Sequence, residues 1–214
     1  DKKIDARTHQ QYTGLVDNHS QHLLSPINNI LDQARIEAGQ MNIVPEPTVL
    51  RDVVEDVAAT LAPLAQQKNL KLSTSYASDM PDAFMFDGFR LRQILLNLAG
   101  NAIKFTERGS VALNCAWKNG ELNIEIADTG PGMSEAALQR IFIAFEQADD
   151  SVAKAHGGSG LGLTISKNLA QLMGGRISVT SKVDAGTQFT LHVPLTPCAP
   201  PAAATPQQVE SELP

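Results

Sequence analysis

Residues 97–105 read NLAGNAIKF, and their spacing predicts an amphipathic helix that begins near Asp87. One face of this helix carries Asn97, Asn101 and Lys104, which lie four and three residues apart. Arg90, seven residues before Asn97, lies on the same face. The opposite face is apolar and carries Leu91, Ile94, Leu95, Leu98, Ala102 and Phe105. One face is therefore expected to build the core, while the other presents amides and an ammonium group. Taken alone, such a polar face is usually a solvated one.

A carboxylate is predicted at the end of a nearby strand. Residues 111–117 and 122–126 alternate apolar and polar side chains, and the NG pair at 119–120 is a strong hairpin signal. Asp128 follows the second strand within DTGPG, residues 128–132. The glycines allow close approach of backbone to a ligand, and the carboxylate can accept a hydrogen bond from an amine. The same run can also be an ordinary turn.

A glycine-rich stretch, GSGLGL at residues 158–163, opens a helix predicted over 161–173. Backbone N–H groups and the positive end of the helix dipole would then face an anion. The glycine spacing differs from the dinucleotide fingerprint, and a long loop over 146–158, rather than a strand, precedes it. A glycine-rich helix start can be merely a hinge. Because a lid-like loop precedes it here, it also suits a phosphate site that closes over its ligand.

The motifs, with GTQF at 186–189 as the last, stand in an order that resembles the ATP-binding domain of sensor histidine kinases across residues 85–195. Residues 97–105 match the N box, 128–132 the G1 box, 141–147 the F box and 158–163 the G2 box. The resemblance implies an α+β fold, a two-layer α/β sandwich of the Bergerat ATP-binding type. It also implies ATP and Mg²⁺ as ligands, with Asn101 on the metal, Lys104 on phosphate and Asp128 on adenine. The residues expected to bind nucleotide are Asn97, Asn101, Lys104, Asp128, Gly130, Gly132, Lys154, Gly158, Gly160, Leu161, Gly162 and Thr187.

The N-terminal segment is predicted to be one long helix over residues 1–38, with Gly39 as its stop and a kink at Pro26. It resembles the second helix of the dimerisation and phosphotransfer domain of the same family. This implies a homodimer, or a heterodimer with another histidine kinase. The expected division is residues 1–40 for the dimerisation helix, 41–195 for the ATP-binding domain and 196–214 for a Pro/Ala-rich linker. We expect the linker to lead to a receiver domain, as in hybrid kinases, and a response regulator as partner.

The histidine that accepts phosphate in this family lies on the first helix, in a His-Glu-x-x-x-Pro context. His9, His19 and His22 lack those neighbours, so we expect ordinary helix positions there and an acceptor outside this chain. No residue of the chain is assigned as catalytic. The implied function is transfer of the γ-phosphoryl group of ATP to that histidine in two-component signalling.

Two other functions compete with this reading. Ala144 stands where the family usually has proline, and Lys154 and its neighbours replace an arginine and an aromatic residue. These departures, with Pro26, leave open a degenerate kinase that acts as a regulatory interaction module. The related clamp ATPases need a glutamate one helical turn before the magnesium asparagine, and Asn97 stands there, so a hydrolytic clamp is disfavoured.

The composition of the chain narrows the possible functions and partners further. The chain has 214 residues, 43% hydrophobic content and a formal net charge of −6, enough apolar content for a sizeable core. Without a basic run, nucleic acid and membrane surfaces are poor partners. Cys115 and Cys198 are far apart in sequence and suggest neither a disulfide framework nor a metal cluster. No apolar run approaches the ~20 residues of a membrane span, so we expect a cytoplasmic segment of a protein whose anchor in the inner membrane lies elsewhere.

Overall fold

The computed structural model describes residues 30–144 and 160–201. Its helices in these ranges are α1 (30–37), α2 (Leu50–Gln67), α3 (Gly88–Phe105), α4 (Glu135–Leu138) and α5 (Gly162–Leu172). The strands are β1 (Glu46–Val49), β2 (Lys71–Tyr76), β3 (Ala83–Phe86), β4 (Ser110–Lys118), β5 (Glu121–Asp128), β6 (Arg176–Lys182), β7 (Gly186–Pro194) and β8 (Thr196–Cys198).

The main sheet has five strands in the order β2-β4-β5-β7-β6. β2 runs parallel to β4, and the other neighbours are antiparallel. Alternate side chains of each central strand are buried, as Leu122, Ile124 and Ile126 of β5 show. Helices α2, α3 and α5 pack against that apolar face. The predicted two-layer α/β sandwich is therefore confirmed.

A second, three-stranded sheet, β1-β3-β8, was not expected from the sequence. β8 pairs antiparallel with β3, so that Ala83 lies opposite Cys198. A strand therefore lies at the position where the linker was expected to begin. The sequence did not predict this strand, because three residues are too few to show the alternation of apolar and polar side chains. The remaining division of the chain into segments stays a prediction.

The hairpin between β4 and β5 forms as predicted. Asn119 and Gly120 have φ values of 54° and 81°, the left-handed pair that a tight type I′ turn requires. The register that follows places Asp128 opposite Val111 on β4 and opposite Thr187 on β7. The last residue of β5 therefore lies between the two strands that flank it.

Both ends of α3 are capped by side chains. The carboxylate of Asp87 accepts hydrogen bonds from the N–H groups of Arg90 and Val44, each at 3.0 Å. At the other end, the Lys68 ammonium donates to the carbonyl oxygens of Ile103 at 3.0 Å, Lys104 at 2.5 Å and Thr106 at 3.2 Å. A cation at the C-terminal end of a helix bonds the last carbonyl oxygens and complements the helix dipole.

The segment that follows DTGPG forms only a short helix, since α4 is a single turn, Glu135–Leu138, begun by the Ser134 side chain. The chain then tightens into i to i+3 turns, such as the bond from the Ile143 N–H to the Arg140 carbonyl, and leaves the helix. Phe105, expected in the core, is 39% exposed because it ends α3.

The part of the N-terminal helix that the structure describes, α1, stops at Gly39 as predicted, where φ is 65°. Asp32 on α1 lies 3.7 Å from the Arg90 guanidinium and accepts a hydrogen bond from Gln93 at 2.7 Å. Arg90, expected on the polar face, thus anchors α1 to α3. The kink expected at Pro26 lies outside the described residues. Across 30–144 and 160–201, no helix combines the length and apolarity needed to cross a bilayer.

We predict that Lys68→Met destabilises the domain by about 1.5 kcal/mol, because three carbonyls at the end of α3 lose a charged donor while the aliphatic stem remains. Urea unfolding followed by circular dichroism measures the change. Lys71→Met, at an exposed position of edge strand β2, is the matched control. A loss no larger than that of the control would contradict the capping role.

Candidate nucleotide-binding site

Asp128 is held by backbone donors at the end of β5. Its Oδ1 accepts hydrogen bonds from the N–H of Gly130 at 2.8 Å and of Thr187 at 3.2 Å. None of the described residues donates to its second oxygen. Burial raises the pKa of the carboxyl above the usual aspartate value, and the two backbone donors oppose that rise. The geometry thus orients one carboxylate oxygen and leaves the other available to a ligand.

The space beside Asp128 suits a small polar group. A Cβ at Gly130 would lie 2.9 Å from Asp128 Oδ1 and 3.1 Å from Thr106 Oγ1. Thr106 is fully buried, and its hydroxyl has no hydrogen-bond partner among the residues that the structure describes. A buried hydroxyl without a partner costs free energy unless a ligand or water satisfies it. An acceptor carboxylate beside this hydroxyl fits the amine edge of adenine.

The DTGPG loop packs against the turn between β6 and β7. Gly132 has a φ of 66°, and a Cβ there would lie 2.0 Å from the carbonyl oxygen of Lys182. Ser181 Oγ accepts from the Met133 N–H at 2.8 Å and lies 2.9 Å from Thr187 Oγ1. Glycine is therefore required at 132, and Ser181 ties the loop to the hairpin that carries Thr187.

The amides and the lysine of α3 have different surroundings. Asn97 donates from Nδ2 to Ser166 Oγ on α5 at 2.8 Å. Asn101, half-buried one turn later, makes no hydrogen bond with the described residues, so its amide oxygen is available to a hard cation such as Mg²⁺. Burial lowers the pKa of the Lys104 ammonium, which lies 5.1 Å from the Phe105 ring centre. These positions fit a metal and phosphate site.

The glycine motif reaches the site at the start of α5. Leu161 is 1% exposed and anchors the helix entry, while Gly160 adopts a φ of 69°. Gly162 opens the helix directly against Asn97. Lys154 and Gly158, expected to contact phosphate, lie outside the described residues.

The predicted residues therefore lie along the second half of α3, some near its C-terminal end and others near its middle. Asp128, Gly130 and Thr187 lie near its C-terminal end, since Thr106 follows the last residue of that helix. The start of α5 lies against Asn97, nine residues earlier, or about 13 Å along a helix. A carboxylate pocket at one place and the first N–H groups of a helix at the other suit a nucleoside and its phosphates, respectively.

Sequence reasoning missed three residues of this arrangement: Thr106, Ser166 and Ser181. Thr106 directly follows NLAGNAIKF, which is a usable signal, but its burial depends on the β4–β5 hairpin. Ser166 lies four residues after Gly162, on the same helix face. Ser181 has no sequence signal that we recognise.

Comparison with known proteins agrees with this geometry. Residues 86–197 match the model of the histidine kinase-, DNA gyrase B-, and HSP90-like ATPase family. The chain is 41% identical over 189 residues to sensor protein GacS of Pseudomonas syringae pv. syringae. It is 39% identical over 193 residues to signal transduction histidine-protein kinase BarA of Escherichia coli. The alignments cover 86% and 88% of this chain but only 21% of each relative.

Among solved structures, the fold is similar to full-length ShkA, crystallised in complex with AMPPNP, with a TM-score of 0.78 and 35% identity. That match covers 94% of this chain and 42% of ShkA. The family match begins one residue before Asp87, the cap of α3, and ends within β8, so it includes every element of the site described above. The chain belongs to the histidine kinase-, DNA gyrase B-, and HSP90-like ATPases, as the catalytic domain of a sensor histidine kinase.

Proposed function

We propose that the site binds ATP together with Mg²⁺ and that the whole protein transfers the γ-phosphoryl group to a histidine. The observation that carries this proposal is the arrangement of the Asp128 carboxylate. One of its oxygens accepts hydrogen bonds from Gly130 and Thr187, and the other is available to a ligand. The Thr106 hydroxyl nearby has no partner among the described residues. An acceptor-only carboxylate selects an amine and rejects a carbonyl at the same place on a purine. The AMPPNP complex of the similar ShkA supports the same assignment.

The other expected residues take roles along α3. The Asn101 amide oxygen would hold Mg²⁺, which would supply positive charge to neutralise the phosphates. Lys104 would approach the phosphates with its ammonium group, and so would Lys154 from the segment that precedes α5. The N–H groups at the start of α5, next to Gly160 and Gly162, would donate hydrogen bonds to phosphate oxygens.

In the proposed transfer, the bond between the γ-phosphorus and the oxygen of the ADP leaving group breaks while a bond to an imidazole nitrogen forms. The protein contributes position and charge neutralisation rather than a covalent intermediate of its own. The acceptor imidazole would come from a neighbouring helix, because His9, His19 and His22 lack the expected neighbours.

The proposed partners are a second histidine kinase subunit and a receiver domain. Ile30 and Leu31 on α1 are 55% and 51% exposed, an apolar surface that a helical partner would cover. The linker toward a receiver domain, the cytoplasmic location and the inner-membrane anchor remain predictions from composition and resemblance.

Hydrolysis by a clamp mechanism is not favoured by the contacts of Asn97. An amide cannot remove a proton from water, and this amide already bonds Ser166 on α5. Asn97 therefore occupies the position of the missing glutamate without its chemistry.

We expect isothermal titration with AMPPNP to show binding that is much tighter with Mg²⁺ than with EDTA. Asn101→Ala should remove most of that difference, at least about tenfold, because a metal ligand is lost. Asn114→Ala, an amide on the sheet far from α5, is the control and should keep the difference. Failure of the wild-type chain to bind at millimolar analogue would overturn the proposed function.

We predict that Asp128→Asn weakens AMPPNP binding by about 100-fold, because an amide N–H₂ would face the amine of adenine. The fold should persist, since the amide oxygen can still accept from Gly130 and Thr187. Burial raises the pKa of Asp128, so the ionised carboxylate costs stability at neutral pH and its neutralisation should not unfold the chain. Asp82→Asn, at an exposed position, is the control; equal affinities of the two variants would contradict the adenine assignment.

Phosphotransfer separates an active kinase from the regulatory alternative. A longer chain that includes the upstream histidine helix is expected to acquire label from γ-³²P-ATP in an acid-labile form, as a phosphohistidine would. Asn101→Ala in that chain should abolish the labelling. Nucleotide binding without any labelling would favour the interaction module.

A further inference from the structure

Asn97 makes two contacts with α5, at positions one helical turn apart. Its Nδ2 donates to Ser166 Oγ at 2.8 Å. Its Oδ1 occupies the space beside Gly162, where a Cβ would lie only 2.3 Å away. Gly162 and Ser166 are four residues apart and share a helix face. One side chain of α3 therefore contacts the whole first turn of α5.

Ser166 is the buried half of this contact. It is 2% exposed, whereas Asn97 is half-buried. A serine inside a helix is a weak helix former, and a buried hydroxyl needs a partner. The bond to Asn97 provides one, and it does so across two helices rather than within α5.

We propose that Ser166 is a positioning residue for the phosphate end of the site, which acts by holding the start of α5 against Asn97. This inference rests on the proposed binding of ATP. Asn101 lies one turn along α3 from Asn97, so the Asn97–Ser166 bond sets the distance between the metal amide and the N–H groups at the start of α5. The sequence expectation had assigned Asn97 directly to the ligand.

The position of α5 is expected to affect the binding of the phosphates more than the binding of adenine. The adenine pocket is formed by Asp128, Gly130 and Thr106, which belong to β5, its following loop and the end of α3. Asp128 and Gly130 make no hydrogen bond with Asn97 or Ser166, and neither does the Thr106 side chain. Loss of the Ser166 hydroxyl should therefore weaken the triphosphate contacts and leave the adenine contacts unchanged.

The decisive experiment compares two ligands on the whole chain. Binding of AMPPNP with Mg²⁺ is measured by calorimetry, and binding of adenosine, which lacks phosphates, by competition. Ser166→Ala should weaken AMPPNP by about 3- to 10-fold, the worth of one buried hydrogen bond, and leave adenosine within about twofold. Equal loss for both ligands, or no loss for AMPPNP, would overturn the proposal.

The control is Ser75→Ala. Ser75 Oγ donates to the amide of Asn114 at 2.7 Å, so it is another serine–asparagine pair, but on β2 and β4. It should leave the affinities for both ligands unchanged. A loss of AMPPNP affinity in Ser75→Ala as large as in Ser166→Ala would show a general effect of stability and overturn the proposal.

A double-mutant cycle tests the route through Asn97. In an Asn97→Ala background, Ser166→Ala should cause no further loss of AMPPNP affinity, because its partner is already gone. A further loss of the original size would show that Ser166 acts independently of Asn97 and would overturn the proposal.

If Ser166→Ala does not fold, Ser166→Cys takes its place, since the thiol keeps the volume but is a weak hydrogen-bond group. Failure of the wild-type chain to bind AMPPNP would instead count against the proposed function.

Discussion

The burial of α3 is the constraint on which the rest of the structure depends. Leu91, Ile94, Leu95 and Leu98 are at most 1% exposed, and α3 packs against α2, α5 and two strands of the main sheet. Interiors are packed as densely as organic crystals, so this helix cannot slide or rotate without opening cavities. Its polar face is held in place by the same packing. The Asn101 amide is thereby rigidly positioned without a hydrogen-bond partner of its own among the described residues.

The two ends of the site are formed by different physical means. At the end proposed for adenine, backbone N–H groups of Gly130 and Thr187 orient a carboxylate, and the pairing of β5 with β7 brings them there. At the end proposed for the phosphates, a side-chain contact between Asn97 and Ser166 joins two helices. The first arrangement depends on strand register, which a whole sheet specifies. The second adds one side-chain hydrogen bond to the packing of two helices, and a single substitution can remove that bond.

The sequence predicted what repeats or is local, and missed what depends on distant packing. The spacing of α3, the turn at Asn119 and the stop at Gly39 are local patterns, and each is confirmed. The three-stranded sheet was missed, because β3 and β8 pair residues more than a hundred positions apart. The burial of Thr106 was missed for the same reason. A residue's type indicates which bonds it can make, whereas its partners are set by the fold.

Several groups in the site are unfavourable to folding. The Thr106 hydroxyl is buried without a hydrogen-bond partner among the described residues, and burial opposes the charged forms of Asp128 and Lys104. Stability elsewhere offsets them, through the large apolar core and the Lys68 cap that satisfies three carbonyls at the end of α3. That cap bonds the Thr106 carbonyl, whereas the hydroxyl of the same residue has no partner among the described residues. Evolution toward stability alone would pair or remove such groups, so their presence together favours a ligand-binding role for this part of the fold.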